Sequence, residues 1–219
     1  CLRMRAELLA SSLPPLFIRG RRLLPIVQGG MGVGVSAHSL AGHVARLGAL
    51  GTIASVDLRR HHADLMTQTR NSRSGADIDR ANLVALDREI AAARAIASGN
   101  GMLAVNVMRA VTAYADSIRQ ACTSGIDAIV MGAGLPLDLP DLTVEFPDVA
   151  LIPILSDARG IALVVRKWRR KGRLPDAIVI EHPRYAGGHL GAASVADLAD
   201  PRFDFDRVID RRGTHATKW

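Results

Sequence analysis

The sequence predicts an α/β fold built from repeated strand–helix units with parallel strands, and three observations predict it. Short apolar runs alternate with amphipathic stretches six times in regular order. Apolar residues make up 48% of the chain but aromatics only 4%, so the core must be built from Ala, Val, Ile and Leu, which suit parallel strands covered by helices. Glycine-rich turns close the first, fourth and sixth runs, where a βα unit presents its loop.

The elements follow in order. Ile26-Val27-Gln28 reads as the first buried strand, closed by Gly29-Gly30. Residues 36–47 read as a helix with Ser36 a candidate N-cap and Gly48 a stop signal. Residues 50–56 form the second strand. Residues 57–81 are polar and aperiodic and read as a long loop or lid with room for a helical turn. Residues 82–97 are a helix whose apolar side carries Leu83, Leu86, Ile90 and Ile96, ended by Gly99. Residues 102–108 are the third strand, followed by a helix over 112–123. Residues 128–131 are the fourth strand, closed by the turn Gly132-Ala133-Gly134-Leu135-Pro136-Leu137. Residues 149–155 are the fifth strand, with a helix over 157–170. Residues 177–180 are the sixth, running into Glu181-His182-Pro183. Two architectures fit this order, a doubly wound open sheet and a TIM barrel, and each places its chemistry at the C-terminal ends of the strands.

The 219 residues make one domain the natural expectation. The net charge of +7 lies in separate clusters: Arg19, Arg21 and Arg22; Arg166 to Arg173; and Arg211, Arg212 and Lys218. No aromatic-interleaved basic motif accompanies them, so they read as solvated helix ends and tails, and no nucleic-acid partner is expected. Cys1 and Cys122 are the only cysteines, which argues against a disulfide scaffold or a Cys-rich zinc site. The apolar run over 8–18 is broken by Pro14-Pro15 and does not read as a secretory signal. No stretch reaches the length of a membrane span. No membrane association is expected, and the expected location is the cytoplasm.

Two glycine-rich turns are candidate sites. The first, Gly29-Gly30-Met31-Gly32-Val33-Gly34, would let backbone approach a ligand ahead of a helix N-terminus. It is not a full Gly-x-Gly-x-x-Gly, although Asp57 lies where the ribose-binding acid of a dinucleotide site would stand. A plain tight turn is the other reading. The second is the end of the sixth strand, where Glu181, Gly187, Gly188 and His189 fall within nine residues. Two glycines beside a histidine allow close approach to a flat ligand, and an imidazole can take a proton near neutral pH. Asn106, inside Val105-Asn106-Val107, needs partners if buried: either an internal hydrogen bond or a polar cofactor edge. His38 and His43 are poorly spaced to share a helix face, and His61 and His62 are adjacent and point apart. No metal site is assigned.

Four segments together resemble the nitronate monooxygenase (2-nitropropane dioxygenase) family: residues 25–36, Ala104-Val105-Asn106-Val107-Met108, Gly132-Ala133-Gly134-Leu135-Pro136, and Ala186-Gly187-Gly188-His189-Leu190-Gly191. They stand in the family's order across residues 12 to about 209. The resemblance implies an FMN-dependent TIM barrel flavoprotein, with about six of eight βα units present here. It implies that Gly29, Gly30 and Met31 line the flavin, that Asn106 hydrogen-bonds to its ring system, that Gly187 and Gly188 lie along it, and that catalytic His189 faces the substrate. It further implies oxidation of alkyl nitronates or nitroalkanes by O2 to a carbonyl compound and nitrite. Oligomeric state is left open. Flavin-dependent enoyl-acyl-carrier-protein reductases share the same turns and are the alternative activity; a non-catalytic remnant is the other alternative.

The expected organisation is an N-terminal extension over 1–22, an incomplete barrel over 23–209 and an atypical tail over 210–219. The chain is expected to be C-terminally truncated relative to the family, ending where strand seven would begin. Loops after strands seven and eight commonly grip a cofactor phosphate in this fold.

Overall fold

In the computed structural model, residues 13–186, 192 and 194–209 are described. A hairpin of β1 (Leu16–Ile18) and β2 (Arg21–Leu23) comes first. It is followed by α1 (His38–Arg46), β3 (Leu50–Ala54), α2 (Ala63–Thr69), α3 (Gly75–Ala97), β4 (Met102–Met108), α4 (Tyr114–Thr123) and β5 (Ala128–Gly132). The remaining elements are α5 (Leu139–Leu142), β6 (Ala150–Leu155), α6 (Ala158–Arg169), β7 (Val179–Ile180) and α7 (Phe205–Val208). Strands β3 to β7 form one parallel sheet whose spatial order is the chain order. A doubly wound sheet reverses its order at a switch point; this one does not, and it curls as an arc of a TIM barrel.

The first expected strand is reduced to a single parallel bridge between Val27 and Leu50. It is held by Gln28 N–H donating to Leu50 O at 2.9 Å and Leu50 N–H donating to Ile26 O at 3.2 Å. Among the described residues six positions of the parallel sheet are therefore present, five of them as strands. Ile26 and Val27 are exposed rather than buried, which corrects the expectation of a buried run.

Alternation along each strand divides the core in two. Leu103, Val105, Val107, Ile129, Met131 and Leu151 face outward and pack under α3, α4 and α6. Leu50, Met102, Ala104, Ala128, Val130, Ala150 and Ile152 face into the arc. The ladder register sets Thr52, Ala104, Ala128 and Ala150 at one height, and Ala54, Asn106, Val130 and Ile152 at the next. Small residues in the lower row suit the concave side of a tightly curved sheet. α1 lies directly on β3, because a Cβ at Gly51 would fall 2.0 Å from Ala41 O.

The hairpin closes the N-terminal end of the arc. Ile18 and Leu23 are buried against the inward cluster. Arg19 reaches Asp176 at 3.2 Å and Arg21 reaches Asp127 at 3.2 Å. Each aspartate precedes a strand and accepts a backbone N–H from the strand before it: Leu103 to Asp127 Oδ2 at 2.9 Å, and Leu151 to Asp176 Oδ2 at 2.8 Å.

The segment 57–81 differs most from its reading as a loop. It holds a 3-10 turn over Leu58–His61, then α2, and α3 begins at Gly75, with Ser74 Oγ accepting Asp77 N–H. Buried Leu58, Leu65 and Ala81 anchor it, too widely spaced in sequence to show a period. The last strand is shorter than its expected four residues, and Pro153 supplies the reason. Ala150 N–H donates toward β5 and Leu151 N–H toward Asp176, so by alternation position 153 faces β7, where proline has no N–H to give. β7 accordingly pairs only from Ile154–Val179 onward.

Three outcomes are expected. Ile18→Ala should destabilise the fold by about 2–5 kcal/mol through the cavity it leaves, measured by denaturant unfolding. Phe17→Ala on the exposed side of the same strand should change stability by less than about 0.5 kcal/mol. Burial pushes the Cys122 thiol up to about 11, so in a Cys1→Ser background it should not react with a thiol reagent at pH 8 until the protein is unfolded. The unfolded thiol ionises near 9 while the folded one stays neutral, so this group's contribution to stability is complete below that pH and declines as pH rises toward 11.

Candidate functional site

The glycine turn after the Val27 bridge is fixed by two polar side chains that face each other behind it. Gln28 Oε1 accepts Thr52 N–H at 2.9 Å, and Gln28 Nε2 donates to Ser36 Oγ at 2.8 Å and to Gly29 O. Ser36 Oγ accepts Met31 N–H at 2.9 Å and donates to Gly29 O at 3.1 Å. Its backbone closes the loop through Ser36 N–H to Met31 O at 3.0 Å and Ala54 N–H to Ser36 O at 2.9 Å. Ser36 is fully buried, and its hydroxyl secures the turn rather than capping α1. The capping position is Ala37, which has no side-chain cap, and this corrects the N-cap expectation.

Gly30 lies against Asn106. A Cβ built on Gly30 would fall 2.5 Å from Asn106 Cβ and 2.9 Å from its Cγ, a separation only glycine permits. The turn and the upper inward row thus meet at the C-terminal ends of the strands. Together they line a cavity of about 380 Å³ bounded by Gly30, Gly32, Ala54, Asn106, Gly132 and Glu181. No hydrogen bond joins the Asn106 amide to another described residue, so the internal-bond reading of this residue finds no partner there.

The far wall is the Gly132-Ala133-Gly134 turn after β5, with Ala133 at φ +55° and Gly134 at +128°. Two α6-side groups hold the chain beyond it. Trp168, fully buried, donates Nε1–H to Pro136 O at 2.9 Å, and Lys171 Nζ donates to Leu137 O at 2.8 Å. An adjoining open cavity of about 640 Å³ shares Ala133, Ile154 and Glu181 and adds Ser156, Asp157 and Arg159. Asp157 Oδ1 is committed to Gly160 N–H at 2.6 Å, capping α6. Beside the turn, Tyr114 Oη donates to Asp138 Oδ2 at 2.5 Å, which raises the phenol pKa, and the Arg109 guanidinium lies 4.0 Å over the Tyr114 ring.

Of the residues singled out in the sequence, Gly30 and Asn106 line this cleft and Glu181 lines both cavities, whereas Gly29 and Met31 belong to the same turn but line neither. Gly187, Gly188 and His189 lie outside the described residues. Asp57 is engaged elsewhere, 3.0 Å from Arg59 Nε and in contact with Arg60. With the sheet order, this removes the dinucleotide reading of the first turn. His61 packs on Gly34, whose Cβ would fall 1.9 Å from Nε2, while His62 turns the other way. No group of three metal-ligating side chains occurs among the described residues.

Sequence reasoning missed Gln28, Trp168 and Glu89, and took Ser36 for a helix cap. Gln28 carried a signal, as a polar side chain ending an apolar run beside two glycines. Glu89 carried another, standing between Leu86 and Ile90 in an apolar helix stripe.

The nitronate monooxygenase family model matches residues 21–208, and the chain belongs to that family. Among solved structures it is similar to FabK from Thermotoga maritima, at 21% identity and a TM-score of 0.53, covering 77% of this chain and 43% of that one. It is also matched to nitroalkane oxidase from Streptomyces ansochromogenes, at 18% identity and a TM-score of 0.33, covering 77% of this chain and 67% of that one. The chain therefore spans less than half the length of FabK. No curated protein matches it.

Gly30→Ala should force Asn106 out of place and cost about 1–3 kcal/mol of stability by overpacking. Gly29→Ala meets nothing within 4 Å and should be tolerated. Denaturant midpoints of the two variants check the contrast.

Proposed function

We propose that this chain is a flavin-dependent oxidoreductase of the nitronate monooxygenase family that binds FMN in the cleft between the glycine turn and Asn106. The observation that carries the reading is the meeting of Gly30 with Asn106 at the C-terminal ends of parallel strands, beside a cavity and with no described partner for the amide. The residues present suit a flat, polar-edged ring. Glycine backbone offers close approach without side chains, and the Asn106 amide offers a donor and an acceptor in one plane. In this reading Gly29, Gly30 and Met31 line the ring, Asn106 holds its polar edge, and Gly187 and Gly188 lie along it. The proposed barrel domain spans 23–209, with the hairpin from the end of the 1–22 extension packed on as its floor and 210–219 as a flanking segment.

The substrate class is an alkyl nitronate or nitroalkane with O2, giving a carbonyl compound and nitrite. His189 is the proposed catalytic group. With a nitroalkane its imidazole takes the α-proton; with a nitronate, already deprotonated, its protonated form balances the anion. Bound FMN would supply a two-electron acceptor that oxygen can reoxidise, and the protein's part is to hold and orient it. No helix among the described residues is long and apolar enough to cross a membrane, and a cytoplasmic location is proposed with this activity.

The test begins with FMN added to the purified chain. A retained flavin spectrum is expected; a protein that keeps none would refute the reading for this chain. Oxygen uptake with propionate 3-nitronate or a nitroalkane is then expected, whereas NADH oxidation with an enoyl thioester would assign the reductase activity instead. In the base role, His189→Ala should lower nitroalkane turnover by about 10²–10⁴-fold and spare nitronate turnover; equal loss of both argues against that role.

A further inference from the structure

Glu89 sits in the buried stripe of α3 and is 1% exposed. A carboxylate is strongly disfavoured there unless it is partnered. Its Oε2 accepts the backbone N–H of His38 at 2.7 Å and lies 2.7 Å from His38 Nδ1. Its Oε1 lies 3.1 Å from His62 Nε2, a close polar contact off the line of a hydrogen bond. Both partners stand at helix starts. His38 is the first residue of α1, whose own capping position has no side-chain acceptor, and His62 is the residue before α2. Glu89 thus acts as a cap supplied to α1 by another helix, where free N–H groups and the helix dipole favour an anion.

The segments leading into those two helix starts border the cleft. Residues 29–37 carry the glycine turn, and residues 55–62 carry Ser55 and Val56 of the cavity wall. They touch again where His61 packs on Gly34. Glu89 lines neither cavity; it contacts the 55–62 segment through His62, and it holds the 29–37 segment through His38, the residue that directly follows it.

We propose that Glu89 is a positioning residue that couples the 29–37 and 55–62 segments into one wall of the cleft. Its predicted effect on flavin rests on the reading above; the coupling itself does not. Glu89→Ala removes both arms, whereas Glu89→Gln keeps an acceptor for His38 N–H and removes the charge facing His62.

Hydrogen exchange on the full-length chain tests this. Glu89→Ala should speed exchange at least tenfold in both segments, with the β1–β2 hairpin and β5 unchanged. Glu89→Gln should speed it in 55–62 alone. Unchanged exchange in both variants, or a loss of protection throughout the chain from Glu89→Gln, would overturn the proposal. If Glu89→Ala does not fold, His62→Asn severs one arm, and unchanged exchange in 55–62 would overturn it equally. With FMN added, Glu89→Ala should weaken affinity fivefold or more. Loosened segments with wild-type FMN affinity would support the coupling and count against FMN lying on the glycine turn. If the parent chain binds no FMN, the cofactor reading fails, and exchange still decides the coupling.

Discussion

Parallel ladder register is the constraint on which the rest of this structure depends. Ala54, Asn106, Val130 and Ile152 stand at one height because each strand is paired to the next in a fixed offset. A slip of one residue in β4 would turn Asn106 out under α3 and bring a bulky aliphatic into the arc. The aspartates before β5 and β7 hold that offset at the opposite end, each accepting a backbone N–H from the neighbouring strand. Arg19 and Arg21 then tie the hairpin to the same two carboxylates. The floor of the arc and the position of the cleft are therefore set by one system of contacts.

The strands and long helices were legible because they obey a short period. Met102–Met108 stands where the apolar run placed it, and the other ends moved by a few residues. The segment 57–81 was illegible because its anchors, Leu58, Leu65 and Ala81, are far apart and surrounded by charge. Proline in β6 was visible in the sequence, but its effect on β7 was not: that depends on which neighbour the missing N–H faces, which only register decides. The doubly wound alternative fell on strand order, a property no local pattern carries.

The site was legible in part for a similar reason. Glycine turns announce themselves by composition, so Gly29 and Gly30 could be singled out from sequence alone. The meeting of Gly30 with Asn106, seventy-six positions away, is a product of the fold. Gln28 and the turn-closing role of Ser36 escaped notice because their work is done through each other, across a loop whose closure the sequence does not display. Glu89 stands out as an acid in the apolar stripe of its helix, but the groups it partners appear only when α1 is laid over it.

The proline at position 153 has a consequence for how the sheet holds together. β7 is joined to β6 over two ladder pairs, supported by Asp176 at its approach, whereas β4 and β5 share five. Protection in a sheet follows such bonds, so among the four seams of the five-stranded sheet the one beside β7 is the weakest. Glu181 follows that strand directly and lines both cavities. The acid at the mouth of the cleft is thus carried on the least firmly stitched strand, while Asn106 is carried on the most firmly stitched one, and the two sides of the cleft differ in stiffness by construction.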